Sequence, residues 1–370
     1  MNPRLSIGIL GSRGIPNNYG GYEQFATEMG IRLVQKGHEV SVYTVREHPV
    51  QDPFYKGIRR ILIKNPETDL GTFGQFLYDL YCNRDSRKRG FDIILHLGYT
   101  SDSVWYRLWT GKSTHLTNMD GLEWKRSKYN RYVRKFLLYA EKLATLKSKF
   151  LIADSFPIKD YLEKTYDKPV RYLSYGAVIP SSFKEDHPKA LHLVPGQYDL
   201  IIARFVPENS IETAIQAKIS ADDKIPLVLL GSDNPYKQKL LKKYGTHNSV
   251  RFAEAVFEKE KIDSIRRYSR FYIHGHSVGG TNPSLLEAMA CRCNVIAHNN
   301  PFNRSVLGNN AFYFSNSKDL SVIFKNKKED DFLTCRETNL EKIKNHYHWD
   351  IVCDAYEKLF YEALYSSAPD

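Results

Sequence analysis

No stretch of the 370-residue chain reaches the ~18 uninterrupted apolar residues that a membrane-spanning helix needs. The amino terminus, MNPRLSIGILGSRG, has no small-residue cleavage site and passes straight into a strand-like segment, so it does not read as a secretory leader. A soluble chain on the cytoplasmic side is the expectation. Cysteine is sparse: Cys82, Cys291, Cys293, Cys335 and Cys353 are scattered, form one C-x-C pair and have no histidine at zinc-site spacing. Reduced, mostly structural thiols follow. An Asp-x-Asp triple, an internal repeat and a low-complexity tract are all missing.

Positive charge and tyrosine are in excess. A formal net charge of +11 concentrates anionic ligands, nucleic acid or acidic lipid headgroups, without choosing among them. The 25 tyrosines can stack bases or sit at a membrane interface where basic residues interleave with them, although burial is the plainer reading for most. The length and a hydrophobic content of 42% suit two cores of ordinary domain size.

Arg4 to Gly11 is an apolar run ending in glycines, and Glu23 to Lys36 places Phe25, Met29, Leu33 and Val34 at helical spacing. Gly37 then closes the helix and an alternating strand runs to Thr44, which makes a βαβ start to a parallel sheet. Asp92 to Leu97, Thr114 to Asn118 and Phe150 to Ala153 are further strand candidates. From Gly176 to Gln197 the period is lost among prolines and glycines, as in a connection. A second α/β series follows, with strands near 200–203, 227–230, 250–252, 271–273 and 294–297 and helices such as Ile211 to Ile219 and Lys259 to Tyr268. The expected organisation is a first parallel-sheet domain over 1–180, a second over 195–345, and a closing helix over 349–363 with one apolar face.

The densest motif is Gly275-His-Ser-Val-Gly-Gly-Thr-Asn-Pro-Ser-Leu-Leu-Glu-Ala-Met-Ala290. Asn282 suits an N-cap and Pro283 a first helical residue, so Gly279, Gly280 and Thr281 lie just ahead of a helix amino terminus. Their amides and the helix dipole would cradle a phosphate, and Glu287, one turn on, could accept hydrogen bonds from vicinal hydroxyls. A plain glycine turn before a helix with a surface glutamate is the competing reading.

This stretch resembles the signature Glu-Gly-Phe-Gly-x-x-x-x-Glu-Ala-Met-Ala of the retaining family-four GT-B glycosyltransferases, with Glu287 at its second glutamate and Gly279 in place of its first. Gly20-Gly21-Tyr22-Glu23 is similar to the family's opening, Ala203 to Asn209 to its diphosphate-binding turn, and the Trp349 helix to the one that crosses back onto the first domain. Asn118 to Arg126 and Val206 to Asn209 further resemble the rhamnosyltransferase-type branch.

The resemblance implies two doubly wound Rossmann-like domains facing a cleft. It implies transfer of a sugar with retention, rhamnose from dTDP-rhamnose in this branch, to a lipid-linked saccharide in polysaccharide biosynthesis. Arg204 and Glu287 would then bind the diphosphate and ribose of the donor, with Asn209, Gly279, Gly280, Thr281 and Asn282 around them. Asp120 and Arg204 would serve catalysis, and Gly20, Gly21 and Glu23 would lie on the acceptor side. Asn209 stands where the family usually has a lysine, which leaves Arg204 to carry most of the neutralisation. No cofactor is implied, and the missing Asp-x-Asp argues against a bound divalent metal.

Helix capping competes for both Asp120 and Glu23, and packing for His115, His274 and His276. Trp124 to Tyr139 interleaves basic and aromatic residues; Tyr132, Phe136 and Tyr139 fall on one helical face beside Lys128, Arg131 and Lys135. That face suits an acidic membrane surface, or else packs inward on its own sheet. Nucleic acid is not an expected partner. The rivals are a sugar-nucleotide 2-epimerase of the same architecture, a basic membrane- or nucleic-acid-binding module, and a dinucleotide enzyme. The last is disfavoured because Gly8, Gly11 and Gly14 lack the Gly-x-Gly spacing.

Overall fold

The computed structural model describes residues 3–109, 111–126 and 129–365, and the chain divides into two compact units, Met1–Tyr175 with Trp349–Asp370 and Gly176–His348. The first unit is built from β1 (Ser6–Leu10), α1 (Gly21–Gln35), β2 (Glu39–Val45), β3 (Phe54–Tyr55), β4 (Ile58–Ile63), α2 (Glu67–Leu70), α3 (Thr72–Arg89), β5 (Ile93–Leu97), β6 (Thr114–Asn118), α4 (Arg131–Lys147), β7 (Phe150–Ala153), α5 (Phe156–Tyr166) and β8 (Val170–Tyr172). Its sheet has the order β3-β4-β2-β1-β5-β6-β7-β8, parallel except for the β3–β4 hairpin at one edge. Lys56 and Gly57 turn that hairpin with φ of 47° and 83°, as a two-residue turn matched to strand twist requires.

The second unit runs α6 (Asp186–Ala190), β9 (Asp199–Ile202), α7 (Ile211–Ala221), β10 (Leu227–Leu230), α8 (Pro235–Tyr244), β11 (Val250–Ala253), α9 (Lys259–Arg267), β12 (Tyr272–His274), α10 (Pro283–Ala290), β13 (Val295–His298), α11 (Pro301–Leu307), β14 (Phe312–Phe314), α12 (Ser317–Asn326) and α13 (Leu333–Lys342). Its sheet is parallel throughout, in the order β11-β10-β9-β12-β13-β14. Both sheets thus wind outward from a first strand in two directions, β1 in one and β9 in the other.

Strands with both faces covered read as continuous apolar runs, and Leu227, Val228, Leu229 and Leu230 are all buried. Helix starts are fixed by short polar side chains: Asn130, Asn234, Asn282, Asn300 and Asn316 each accept from amides of the first turn. α3 ends in Gly90 at φ 65°, a left-handed stop that glycine adopts without steric penalty.

The last helix, α14 (Trp349–Tyr365), belongs to the first unit and lies on α1, so the closing helix does cross back. Phe25 of α1 is buried edge-on against Tyr175, Trp349 and Tyr356, with ring centroids 5.7, 5.9 and 5.2 Å away. Around that core, Arg32 pairs with Asp350 at 2.7 Å, and Lys36 with Asp354 and Glu357 at 2.6 and 2.9 Å.

Three histidines, His96, His115 and His274, are interior parts of these sheets. His115 of β6 meets His96 of β5 at 2.9 Å, and His96 in turn pairs with the buried Asp102. Burial, then the charge of His96, pushes the His115 pKa down to about 3; burial, then His276 and His298, does the same to His274 at the end of β12. Both native imidazoles stay neutral at pH values where the unfolded chain has taken up protons. Their stabilisation is therefore complete above the unfolded pKa of about 6.5 and is lost as pH falls toward 3, at about 1.4 kcal/mol per histidine per pH unit. Urea titrations at pH 7 and pH 5 should show this loss, and His115→Gln or His274→Gln should reduce the difference between the two pH values. An unchanged difference in both variants would mean that neither residue resists protonation in the native state.

Candidate functional site

In the second unit, chain order reverses between β9 and β12, and ligands of open parallel sheets bind outside the carboxyl ends at such a point. The loops leaving these two strands carry Arg204, Asn209, Gly279, Gly280, Thr281 and Asn282. They are joined side by side: the Ser277 N–H and hydroxyl both donate to the Glu208 carbonyl, at 3.0 and 2.8 Å. The Asn209 amide donates to the Arg204 carbonyl at 2.7 Å, and its oxygen lies 2.9 Å from His276 Nδ1. Asn209 is buried and positions both loops. Contact this close needs a bare backbone at Gly275, where a Cβ would stand 2.1 Å from the Asn209 carbonyl oxygen.

The Arg204 side chain is exposed, and among the described residues no carboxylate pairs with it. Gly279 has φ 125°, and a Cβ there would press on His276 Nε2 at 3.0 Å. The place of the missing glutamate is therefore one that strongly favours glycine. Gly280 and Thr281 are buried immediately before α10, whose first residue is Pro283; the Asn282 oxygen accepts from the Ser284 N–H at 2.9 Å.

Glu287 on α10 meets the Arg266 guanidinium of α9 at 2.5 Å. Arg266 is itself buried and also reaches Asp263 at 3.1 Å. Burial opposes its charge, but Glu287 and the other anionic neighbours outweigh it, and the net shift is upward. Lys259 behaves likewise: burial lowers its pKa, and Glu287 and Asp263 more than restore it. Glu287 is thus a carboxylate held between two cations. No sequence motif joins either cation to Glu287, since Lys259 to Tyr268 reads there only as a helix; the available signal is the spacing of Lys259, Asp263 and Arg266 on one face.

In the first unit the corresponding reversal lies between β1 and β5. Gly20 precedes α1 and Gly21 opens it. Glu23 is buried and accepts from the Arg13 N–H at 2.7 Å, so it fastens the loop after β1 and does not face open solvent. Asp120 follows β6 with φ 37°, and its N–H donates to Asn118 Oδ1 at 3.1 Å. The helical turn at Glu123–Lys125 has Leu122 at its N-cap and α4 has Asn130, so Asp120 caps neither.

Asp120 is instead a neighbour of the Tyr22 hydroxyl. Burial, then the charges of Asp120 and Glu123, raises the Tyr22 pKa far above the usual phenol value. Burial first and then the charges of Asp120 and Asp154 hold Tyr175 and Tyr356 high as well. The result is a group of protonated phenols around two carboxylates at the carboxyl ends of β6 and β7. No sequence spacing joins Tyr22, Asp154 and Tyr356, because they come from three distant segments.

α4 turns Leu137, Ala140, Leu143 and Ala144 inward and leaves Tyr132 and Tyr139 68% and 56% exposed. The aromatic residues therefore do not all pack on the sheet, although Phe136 does meet Phe76 of α3 at 5.5 Å. Tyr139 lines a groove of about 570 Å3 with Leu80, Arg84, Tyr106 and Arg107. Arg126 is engaged by Glu123 at 2.6 Å, whereas Lys125, Arg131 and Lys135 are exposed. Lys128 lies outside the described residues.

Residues 183–346 match the family described as Glycosyl transferases group 1, and residues 109–178 match a domain of unknown function, DUF1972. No curated protein sequence matches the chain. Among solved structures, sucrose-phosphate synthase from Thermosynechococcus elongatus is similar at 15% identity and a TM-score of 0.81, covering 98% of this chain and 100% of that one. HepE from Anabaena, in complex with UDP and glucose, is 13% identical with a TM-score of 0.75 over 96% and 99% of the two chains. WaaG, a glycosyltransferase involved in lipopolysaccharide biosynthesis, is 14% identical with a TM-score of 0.72 over 98% and 100%. The protein has the GT-B fold, and its residues 183–346 match the glycosyl transferases group 1 family.

Proposed function

We propose that the chain is a retaining, metal-independent hexosyltransferase that takes a sugar from a nucleoside diphosphate donor. The observation that carries this reading is the pair of joined loops after β9 and β12, which bring an unpaired Arg204 onto the same side of the sheet as the capped amino terminus of α10 and the held carboxylate of Glu287. Amides and an arginine suit a diphosphate, and a carboxylate suits the paired hydroxyls of ribose. HepE, of the same fold, has been seen with UDP, with UDP and glucose, and with UDP-glucose. The motif resemblance favours rhamnose from dTDP-rhamnose as donor and a lipid-linked saccharide as acceptor, on the cytoplasmic side.

In this mechanism the leaving diphosphate oxygen on the acceptor's face takes the acceptor proton, while Arg204 and the backbone amides near Gly279 to Thr281 neutralise the charge that develops. The fixed positive charge needed at the leaving group comes from the chain itself, so neither a metal nor a cofactor enters. Asp120, with Tyr22 beside it, orients the sugar or acceptor hydroxyls.

Arg204→Ala should lower turnover about a hundredfold or more, the scale of one lost donor to a developing oxyanion. It should leave folding within about 0.5 kcal/mol, because the side chain is exposed. Glu287→Ala should weaken nucleotide-sugar binding and also lower the melting temperature, because Arg266 loses its partner. Calorimetry and steady-state kinetics read both, and unchanged kinetics in the pair would end the donor-site assignment. Asp120→Asn should impair transfer more than nucleotide binding; equal loss of both, with loss of the fold, would make it structural.

The exposed Tyr132 and Tyr139 with Lys125, Arg131 and Lys135 favour attachment to an acidic membrane, where each basic residue contributes about 1 kcal/mol. In vesicle sedimentation, binding should require acidic lipid, fall with salt, and weaken when these three cations become glutamine. Equal binding to neutral vesicles, or none to acidic ones, would remove the membrane and favour a soluble acceptor.

A further inference from the structure

At the opposite, amino end of the second sheet, a cavity of about 170 Å3 is lined by Arg267, Arg292, Arg336, Ser269, Asn294 and Glu329, among others. Arg267 closes α9, Arg292 follows α10, and Arg336 lies in the first turn of α13, so three separate helices deliver a guanidinium to one place. Among the described residues none of the three has a carboxylate within ion-pair distance; Arg267 and Arg336 are half-buried and Arg292 is exposed. Arg267 donates to the Arg292 carbonyl at 3.3 Å and lies over the Phe183 ring, 5.9 Å from its centroid. Arg292 holds φ 56° directly after α10, a conformation in which glycine is the unstrained residue.

Asn294 supplies a second, independent observation. It is 3% exposed, and its amide nitrogen donates to the Arg270 carbonyl at 2.7 Å, while its oxygen has no hydrogen-bond partner. A buried acceptor left unmade is costly, and a donor on a ligand would satisfy it. We propose that this cavity is a second anion site that takes a phosphate group, either as the free hydrogen phosphate ion or as a monoester. Guanidinium forks match phosphate oxygens in pairs, and Asn294 Oδ1 and Glu329 would accept from the ion's proton or from hydroxyls of an ester. The volume lies below the ~300 Å3 at which pockets begin to hold whole drug-sized ligands, so the site suits a compact group. It is separate from Arg204 and Gly279, which leave the sheet at its other end.

The test is calorimetric titration of the full chain with orthophosphate and with a hexose 1-phosphate, in the parent, in Arg204→Ala and in Arg292→Gln/Arg336→Gln. The expected result is binding that persists in Arg204→Ala and weakens about tenfold or more for each arginine removed from the cavity. Tighter binding of orthophosphate assigns the ligand to the free ion, and tighter binding of the ester assigns it to sugar phosphates. Binding that is lost in Arg204→Ala and unaffected in the double variant overturns the proposal, as does a parent that binds neither probe. If the arginines serve only the carboxyl ends of α9 and α10, the double variant melts lower with phosphate binding unchanged, and the site falls.

Discussion

A parallel sheet sends every strand's carboxyl end the same way, and where chain order reverses no crossover helix covers the gap between the two loops that leave. Both units are built on that constraint, once at β1 and β5 and once at β9 and β12. In the second unit the loops do not diverge freely. Asn209, Glu208, His276 and Ser277 join them, so the position of Arg204 depends on residues more than sixty positions away in the chain. The glycines follow from the same closeness, since Gly275 abuts the Asn209 carbonyl and Gly279 abuts His276.

The charges around Glu287 have a similar logic. A guanidinium as buried as Arg266 is tolerated only with well-placed anions, and Asp263 and Glu287 provide them from α9 and α10. The carboxylate proposed to bind the donor is therefore also part of how two helices pack. In the proposed function, binding and stability are therefore not separable at Glu287, whereas the Arg204 side chain is exposed.

The parallel-sheet architecture was legible because its strands are written as short apolar runs between glycines. Thr114–Asn118, Phe150–Ala153 and Leu227–Leu230 fall where the pattern alone puts them. The α10 start was legible for a local reason, the Asn-Pro pair at the cap. The two-residue β3 and three-residue β14 were not, being too short to show a period. The surroundings of Asp120 and Glu287 were hidden for a different reason. Tyr22, Tyr175 and Tyr356 reach Asp120 from far along the chain, and Arg266 reaches Glu287 from a neighbouring helix, so no spacing rule joins them. The link that Asn209 makes between two loops is likewise visible only in the tertiary contacts.

The placement of α14 has a consequence for the order of assembly. Phe25 is synthesised well before the Trp349 and Tyr356 rings that cover it, which are made only after the whole of Gly176–His348. During synthesis the second unit has all its strands and helices before the first has its last helix. The usual order, in which amino-terminal domains finish first, is reversed here. Until α14 is made, the Phe25 side of α1 lacks the Trp349 and Tyr356 rings that cover it in the folded unit.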